Sequence, residues 1–252
     1  NSLLGQSILL LGLSAIFLIP AQAQISWQEA QTITGNSNII SAATTTGATT
    51  FDAFLTNSGS NITPLTVDGV TFNRSNVVDT EALTQGDGFI SYTVTSGANN
   101  HYGFPGTYST TPPSSPEFAA IMESGGTYQD GGAGTGTITI SGLTLGDVYA
   151  VQIFNYAADG DQGLTTFSSL GGNSVTISNL GSGQFATGTF TATGTTQSFD
   201  WAGAGSGFTV VGSINVANIT AVPEPAVSGL VAAGLLFGLV VVRYRQKNAN
   251  LS

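Results

Sequence analysis

Apolar and polar positions alternate along much of this chain with a period of two, and glycine, asparagine, serine or proline interrupts the alternation every few residues. A period of two sends successive side chains to opposite faces of an extended strand, so the pattern predicts many short β-strands separated by turns. Gly136–Ile140 alternates strictly, as Gly-Thr-Ile-Thr-Ile, and Phe89–Val94 alternates as Phe-Ile-Ser-Tyr-Thr-Val. In Val148–Tyr156 one face carries Tyr149, Val151 and Ile153, and the other carries Ala150, Gln152, Phe154 and Tyr156. A strand that is apolar on both faces is expected at the centre of a sheet, covered on both sides. Leu65–Phe72 places Asp68-Gly69 between two β-prone runs, the strongest local signal for a hairpin. Further strands are expected at Ser174–Ile177, Gln184–Ala192, Thr196–Trp201 and Phe208–Ile219. One short helix is expected at Pro116–Glu123: Ser115 can cap it, Pro116 suits the first helical position, Glu117 complements the dipole and Gly125 can stop it. About eight to ten strands with almost no helix predict an all-β fold, an antiparallel β-sandwich or jelly roll. No unit of about twenty to fifty residues recurs, which argues against a solenoid or propeller.

Two apolar runs do not alternate, and both lie at the ends. Ile8–Pro20 is followed by Ala21-Gln22-Ala23, with small residues where a signal peptidase needs them. Residues 1–23 therefore read as a signal peptide cleaved after Ala23, with an uncleaved N-terminal helix as the competing reading. Ala226–Val242 is seventeen residues without a charge. As a helix it would span ~25 Å against a hydrocarbon core of roughly 30 Å, the short limit for a transmembrane segment. Pro223 and Pro225 set its start, because neither can continue a helix backwards. Arg243, Arg245 and Lys247 are three of the four basic residues in the chain. They are expected to stay on the cytoplasmic side, which leaves residues 24–221 outside the cytoplasm.

Pro223-Glu224-Pro225, a short apolar helix and a C-terminal basic patch together resemble the PEP-CTERM sorting signal of exported bacterial proteins. The likeness covers about Val222 to Lys247, a tenth of the chain, and the short tail 248–252 beyond the patch is its one departure. It implies recognition by an exosortase, a membrane enzyme thought to cleave near the Pro-Glu-Pro. It also implies sorting to the cell surface or extracellular matrix, often in organisms that make exopolysaccharide. It implies no activity for the body, and a plain membrane anchor is the competing reading of the same tail. A second resemblance links Ile138–Thr144 and Tyr149–Phe154 to the paired central strands of galactose-binding-like jelly rolls.

Charge narrows the function of the body. Residues 24–221 hold thirteen acids and one basic side chain, Arg74. Binding to nucleic-acid phosphates needs clustered Lys and Arg, so that class is excluded. An acidic surface suits calcium, neutral glycans or simple solubility. There is no cysteine, hence neither disulfide nor lipid attachment through a thiol. The apolar residues are too many and too regularly spaced for a disordered chain.

Candidate chemistry is sparse. His101 is the one histidine, and it sits in a polar loop, Gly97–Gly103, where solvation or a structural hydrogen bond is the default. Neither a Gly-x-Ser-x-Gly elbow nor a zinc shell can be assembled around it. Glu117, Glu123, Asp130, Asp159 and Asp161 could include a glycosidase pair only if two of them face each other across a cleft, and scattered surface acids are the better reading. Asp159-Gly160-Asp161-Gln162-Gly163 alternates oxygen ligands with glycine, as calcium loops do, but lacks the closing bidentate Glu of an EF-hand. The long Ser96–Ser115 loop carries His101, Tyr102, Phe104 and Tyr108, with Tyr128 and Trp201 elsewhere, and exposed rings of this kind can stack on sugar faces. The alternative is that the aromatics close the ends of the core. Asn61-Ile62-Thr63, Asn73-Arg74-Ser75 and Asn218-Ile219-Thr220 fit the glycosylation pattern, which chance supplies in a chain so rich in Asn and Thr. The sequence thus leads to an exported, surface-sorted structural or adhesive protein without enzymatic activity. A carbohydrate-binding module is the alternative, and a glycan-active hydrolase comes third.

Overall fold

The computed structural model describes residues 22–55, 64–74, 84–96, 115–124, 127–129, 134–156, 163–178, 181, 183–204 and 209–220. Among them are sixteen strands and one α-helix, so the fold is all-β. The first large sheet has the order β1 (Ser26–Trp27), β13 (Gln184–Thr191), β10 (Val148–Asn155), β16 (Ser213–Asn218), β3 (Thr49–Leu55), β5 (Val70–Arg74), β4 (Leu65–Val67), and β2 (Gln31–Thr32) also pairs with β13. The second has the order β12 (Ser174–Ser178), β11 (Leu164–Ser168), β14 (Thr196–Ala204), β9 (Thr135–Ser141), β7 (Ile90–Ser96), β6 (Thr84–Gly86). A separate ribbon joins β8 (Thr127–Gln129) to β15 (Thr209–Val211). All pairs are antiparallel except β3 with β5, which run parallel.

The pairing is nested. β11 pairs with β12, β10 with β13, β9 with β14 and β3 with β16, each antiparallel. These are the rungs of one long hairpin whose tip is the β11–β12 turn. Successive rungs fall in alternate sheets, and this overturns one expectation: the strands at Ile138–Thr144 and Tyr149–Phe154 do not pair. β9 lies between β7 and β14, whereas β10 lies between β13 and β16. The turn between them carries the chain from one sheet to the other, with Gly142 and Gly146 at φ 78° and 88°, where an L side chain would be strained.

The two large sheets share one apolar core. The first supplies Tyr149, Val151, Ile153, Phe190, Ile214 and Val216, and the second supplies Ile90, Tyr92, Ile138, Ile140, Phe167, Phe199 and Trp201. Trp27 crosses the layer, its ring 5.4 Å from Phe199 and 6.1 Å from Phe167. Tyr92 stacks on Trp201 at 5.3 Å, over Gly136, where an added Cβ would lie 2.5 Å from the indole nitrogen.

A second core covers the other face of the first sheet. Helix α1 (Pro116–Ser124) lays Phe118, Ile121 and Met122 against Phe154, the hairpin residues Val67, Val70 and Phe72, and Ile33 and Ile39. The expected helix is therefore present, capped as foreseen, with the Phe118 amide donating to Ser115 Oγ at 3.1 Å. This third layer explains why β10 is buried on both faces over almost its whole length. The Leu65–Phe72 hairpin also forms as expected, with Asp68 and Gly69 at φ 50° and 81° in the turn.

The single strand expected over Phe208–Ile219 is two, β15 and β16. They break at Gly212, whose amide donates to Asn155 Oδ1 and whose Cα is too close to the Phe154 carbonyl for a side chain. Strands β1, β2, β3, β6, β8 and β11 were not anticipated. Four of them are two or three residues long, and β1, β2 and β8 pair with strands distant in sequence. The exposed sheet edge at β1 is covered by one amide: Asn173 Oδ1 accepts from the Trp27 N–H at 2.7 Å, and Asn173 Nδ2 donates to the Trp27 carbonyl at 2.8 Å. That imitates a strand rung and leaves no template there for another chain.

Among the described residues no helix is long and apolar enough to cross a membrane. The apolar segment 226–242 and the sorting residues Pro223, Glu224, Pro225, Arg243, Arg245 and Lys247 lie outside the described residues.

Candidate functional site

The outer face of β10 and β13 is only partly covered by the second core. Beyond Phe154 and Phe185 it carries Ala150, Gln152, Thr187 and Thr189, and the segment 33–48 crosses above it. Gln152 holds that segment. Its Oε1 accepts from the Ile40 amide at 2.7 Å and from Asn215 Nδ2 at 3.0 Å, and its Nε2 donates to the Asn38 carbonyl at 2.7 Å. Asn215 Nδ2 also donates to the Ile40 carbonyl at 2.9 Å. Two buried amides thus replace the backbone pairs that this stretch of loop lacks.

Between the sheet face and the segment lies an open groove of about 510 Å³. Its floor is Ala150, Gln152, Phe185, Thr187 and Thr189; its walls are Gln28 and Gln31 on one side and Ser37, Asn38, Thr45 and Thr46 on the other. Ile40 and Ile219 are its large aliphatic members, and among the described residues no ionisable side chain lines it. Amides and hydroxyls around a few apolar contacts suit an uncharged, polyhydroxylated or amide-bearing ligand, because each ligand hydroxyl finds both donors and acceptors.

A second cluster sits at the edge of the shared core. The β3–β16 ladder slips between Val216 and Ala217: Val216 faces Asp52, Ala217 faces Thr50, and Phe51 is the extra residue. A bulge of this kind turns neighbouring side chains to one side of the sheet. Phe51 accordingly packs on the shared core, touching Tyr149 at 5.3 Å and Phe89 at 5.8 Å. Asp52 is 6% exposed. Its Oδ1 accepts from Asn73 Nδ2 at 3.0 Å. Its carboxyl also meets that of Asp87, in the turn between β6 and β7. Asp87 Oδ1 accepts from the amides of Phe89 at 3.2 Å and Ile90 at 3.0 Å. Both Oδ2 atoms are buried, with no donor among the described groups. Burial raises the Asp52 pKa from 3.8 to about 7, and the charge and hydrogen bond of Asp87 add to the rise.

The residues picked out by sequence are distributed differently. His101, Tyr102, Phe104, Tyr108, Asp130, Asp159, Asp161 and Ala21 lie outside the described residues. Trp201 is buried in the shared core, and so belongs to packing. Glu117 is exposed on the first turn of α1. Ala23 is buried, and its carbonyl accepts from Gln197 Nε2 at 3.0 Å. Among the described residues no group of three or more His, Cys, Asp or Glu could hold a metal ion. The carboxylate pair that does form, Asp52 with Asp87, was missed. The available signal was an acid inside the β-prone run Thr49–Leu55, where a charge is out of place on a buried strand.

Comparison with known proteins finds no match: no protein-family model, no curated protein and no solved structure is similar to this chain. The functional reading therefore rests on the residues and their geometry.

Proposed function

We propose that this chain is an exported, surface-sorted structural or adhesive protein of the bacterial envelope or extracellular matrix, without enzymatic activity. Its body is read as a jelly-roll β-sandwich. That reading is supported by the nested pairing, which places β3-β16-β10-β13 in one sheet and β9-β14-β11-β12 in the other. Rolling a long hairpin upon itself produces this order. The observation that carries the functional reading is the pairing of two features: a Pro-Glu-Pro, apolar, basic tail, and an acidic three-layer body with a neutral groove. The tail delivers the body through the inner membrane to an exosortase-type processing enzyme, and the body presents its surface to matrix polymer.

Cleavage after Ala23 in this account takes away a buried residue of the unprocessed chain, so in the mature domain Gln197 Nε2 loses the Ala23 carbonyl as an acceptor. Sorting is tested by intact mass and fractionation from the native host, beside a variant with Pro223→Ala, Glu224→Ala and Pro225→Ala. The wild-type protein should end near Pro225 and leave the inner membrane, while the variant stays there. If both keep residues 243–252 and fractionate alike, the tail is a plain anchor and the matrix reading loses its main support.

The groove favours the second reading, a carbohydrate-binding module for uncharged surface glycans. Gln28 and Gln31 are exposed wall residues tied to the sheet by their backbones, so changing both side chains to alanine should leave the melting temperature unchanged. The double change should weaken binding to a neutral polysaccharide by roughly tenfold or more, as expected for two lost polar contacts of about 1 kcal/mol each. Binding that instead disappears with Tyr102→Ala and Tyr108→Ala would place the site on the Ser96–Ser115 loop. Binding to no glycan at all would end this reading. A hydrolase would require turnover of matrix polysaccharide, abolished by a single carboxylate change such as Glu117→Gln.

A further inference from the structure

Asp52 and Asp87 belong to different sheets. Asp52 reaches inward from β3 because the bulge at Phe51 turns it there, and Asp87 is held in the β6–β7 turn by two backbone amides. The Phe51 and Phe89 rings meet edge to face beside them. At this end of the molecule the sheets are therefore tied by one aromatic contact and one pair of carboxyl groups. Each carboxyl has one oxygen engaged and one, Oδ2, buried without a donor.

Two carboxyls in contact through buried Oδ2 atoms cannot both carry charge without large repulsion, so something positive belongs between them. Calcium takes about six to eight oxygens, and this pair presents two free ones. One proton satisfies both. We propose that Asp52 and Asp87 form a single-proton clamp between the two sheets, and that loss of this proton loosens that end of the domain. The clamp converts external pH into a local opening at the β6–β7 turn, next to the exposed Phe89.

Among the described residues the groups that face the pair are few. From β5 comes Asn73, a neutral donor, and beside Asp52 on β16 in register is Val216. Arg74, the next residue of β5, is in register with Leu55. Tyr149, whose ring touches Phe51, turns its hydroxyl to the Thr144 amide. Among the described residues Asp87 is the one group whose charge acts on Asp52.

The direction of the pH effect follows from where the proton is held. The folded Asp52 carboxyl titrates at about 7, above its ordinary 3.8, so across that window the folded chain keeps a proton that the unfolded chain has released. The stabilisation is fully present below 3.8, is lost as pH rises toward about 7, and is gone above that.

The test is thermal unfolding of the full chain from about pH 5 to about pH 8, with amide exchange protection for residues 86–91. Wild type should lose melting temperature across this range, and protection in the turn should fall more than elsewhere. Asp52→Asn keeps a donor toward Asp87 and no titrating proton, so its profile should be flat and should lie above wild type at about pH 8. Parallel slopes for the two proteins would overturn the clamp. So would a melting temperature that added calcium raises in wild type and not in Asp52→Asn, which would make the pair a cation site. If Asp52→Asn does not fold, the infrared band of a protonated carboxyl in wild type decides. It should be present at about pH 6 and lost by about pH 8, and its absence at the lower value overturns the proposal.

Discussion

Trp27→Ala is expected to destabilise the domain by about 3–5 kcal/mol, the cost of emptying a large aromatic site in a packed core. Trp27 is 4% exposed and is the one side chain of the two-residue β1 that enters the shared core. It touches Phe167 and Phe199 on the opposite sheet, while Gly188 beneath it has no side chain; a Cβ there would come within 2.7 Å of the ring. The site is shaped for an indole, and neighbours on both sheets would have to move to refill it. Its Nε1 has no acceptor among the described residues, so the loss would come from packing and not from a broken hydrogen bond. Chemical denaturation of wild type and variant measures it. Trp27→Phe should recover part of the loss. A loss below about 1 kcal/mol would mean that the N-terminal strand is not seated between the sheets.

Gln152→Leu acts on the opposite face of the same sheet. Leucine is close in volume and suits a buried strand, yet it leaves the Ile40 amide and the Asn38 carbonyl without partners. A fully buried orphan costs about 1–3 kcal/mol, and these two are half-buried at the groove, so together they cost up to about 2–6 kcal/mol if the loop stays in place. The loop can avoid that by lifting off, and the stability measurement would then understate the damage. Amide exchange at Ile40 separates the two outcomes: protection kept with a large loss of global stability, or protection lost with a smaller one. Either way the groove loses its floor or its wall, and glycan binding should fall with it. An unchanged stability together with an unchanged Ile40 amide would show that Gln152 does not hold the segment.

The two variants mark how differently the two faces are built. The shared core is apolar but for ring edges such as the unpaired Trp27 and Trp201 Nε1 atoms, and a carboxyl enters only at its rim, where the Phe51 bulge admits Asp52. The outer face is held by amides, and a face held by amides can expose them where the cover is incomplete. A polar groove is a consequence of covering a central strand with a loop instead of a third sheet.

Much of the fold was legible in local pattern. The Asp68-Gly69 turn, the Ser115 cap and the two-faced apolar run at Val148–Tyr156 each depend on residues a few positions apart, and each forms as the sequence predicts. The all-β class follows from the same period-two alternation. The carboxylate pair and the groove were not legible, because Asp52 meets Asp87 and Gln152 meets Ile40 across 35 and 112 positions. Alternation says that a strand exists and which residues share a face, but it is silent about partners. Hence β9 and β10, adjacent in sequence and alike in pattern, were expected to pair and do not. The sequence by itself determined the longer central strands, the Asp68-Gly69 turn, the capped helix, the acidic composition of the body and the expectation of export. Only the tertiary structure decided which strands are neighbours, that Gly212 divides the last strand, and that a bulge carries one carboxyl inward to another. The physical reason is range: turn and cap chemistry act within one or two turns of chain, whereas nested pairing and buried polar contacts are settled by packing between segments that meet only when the whole domain closes.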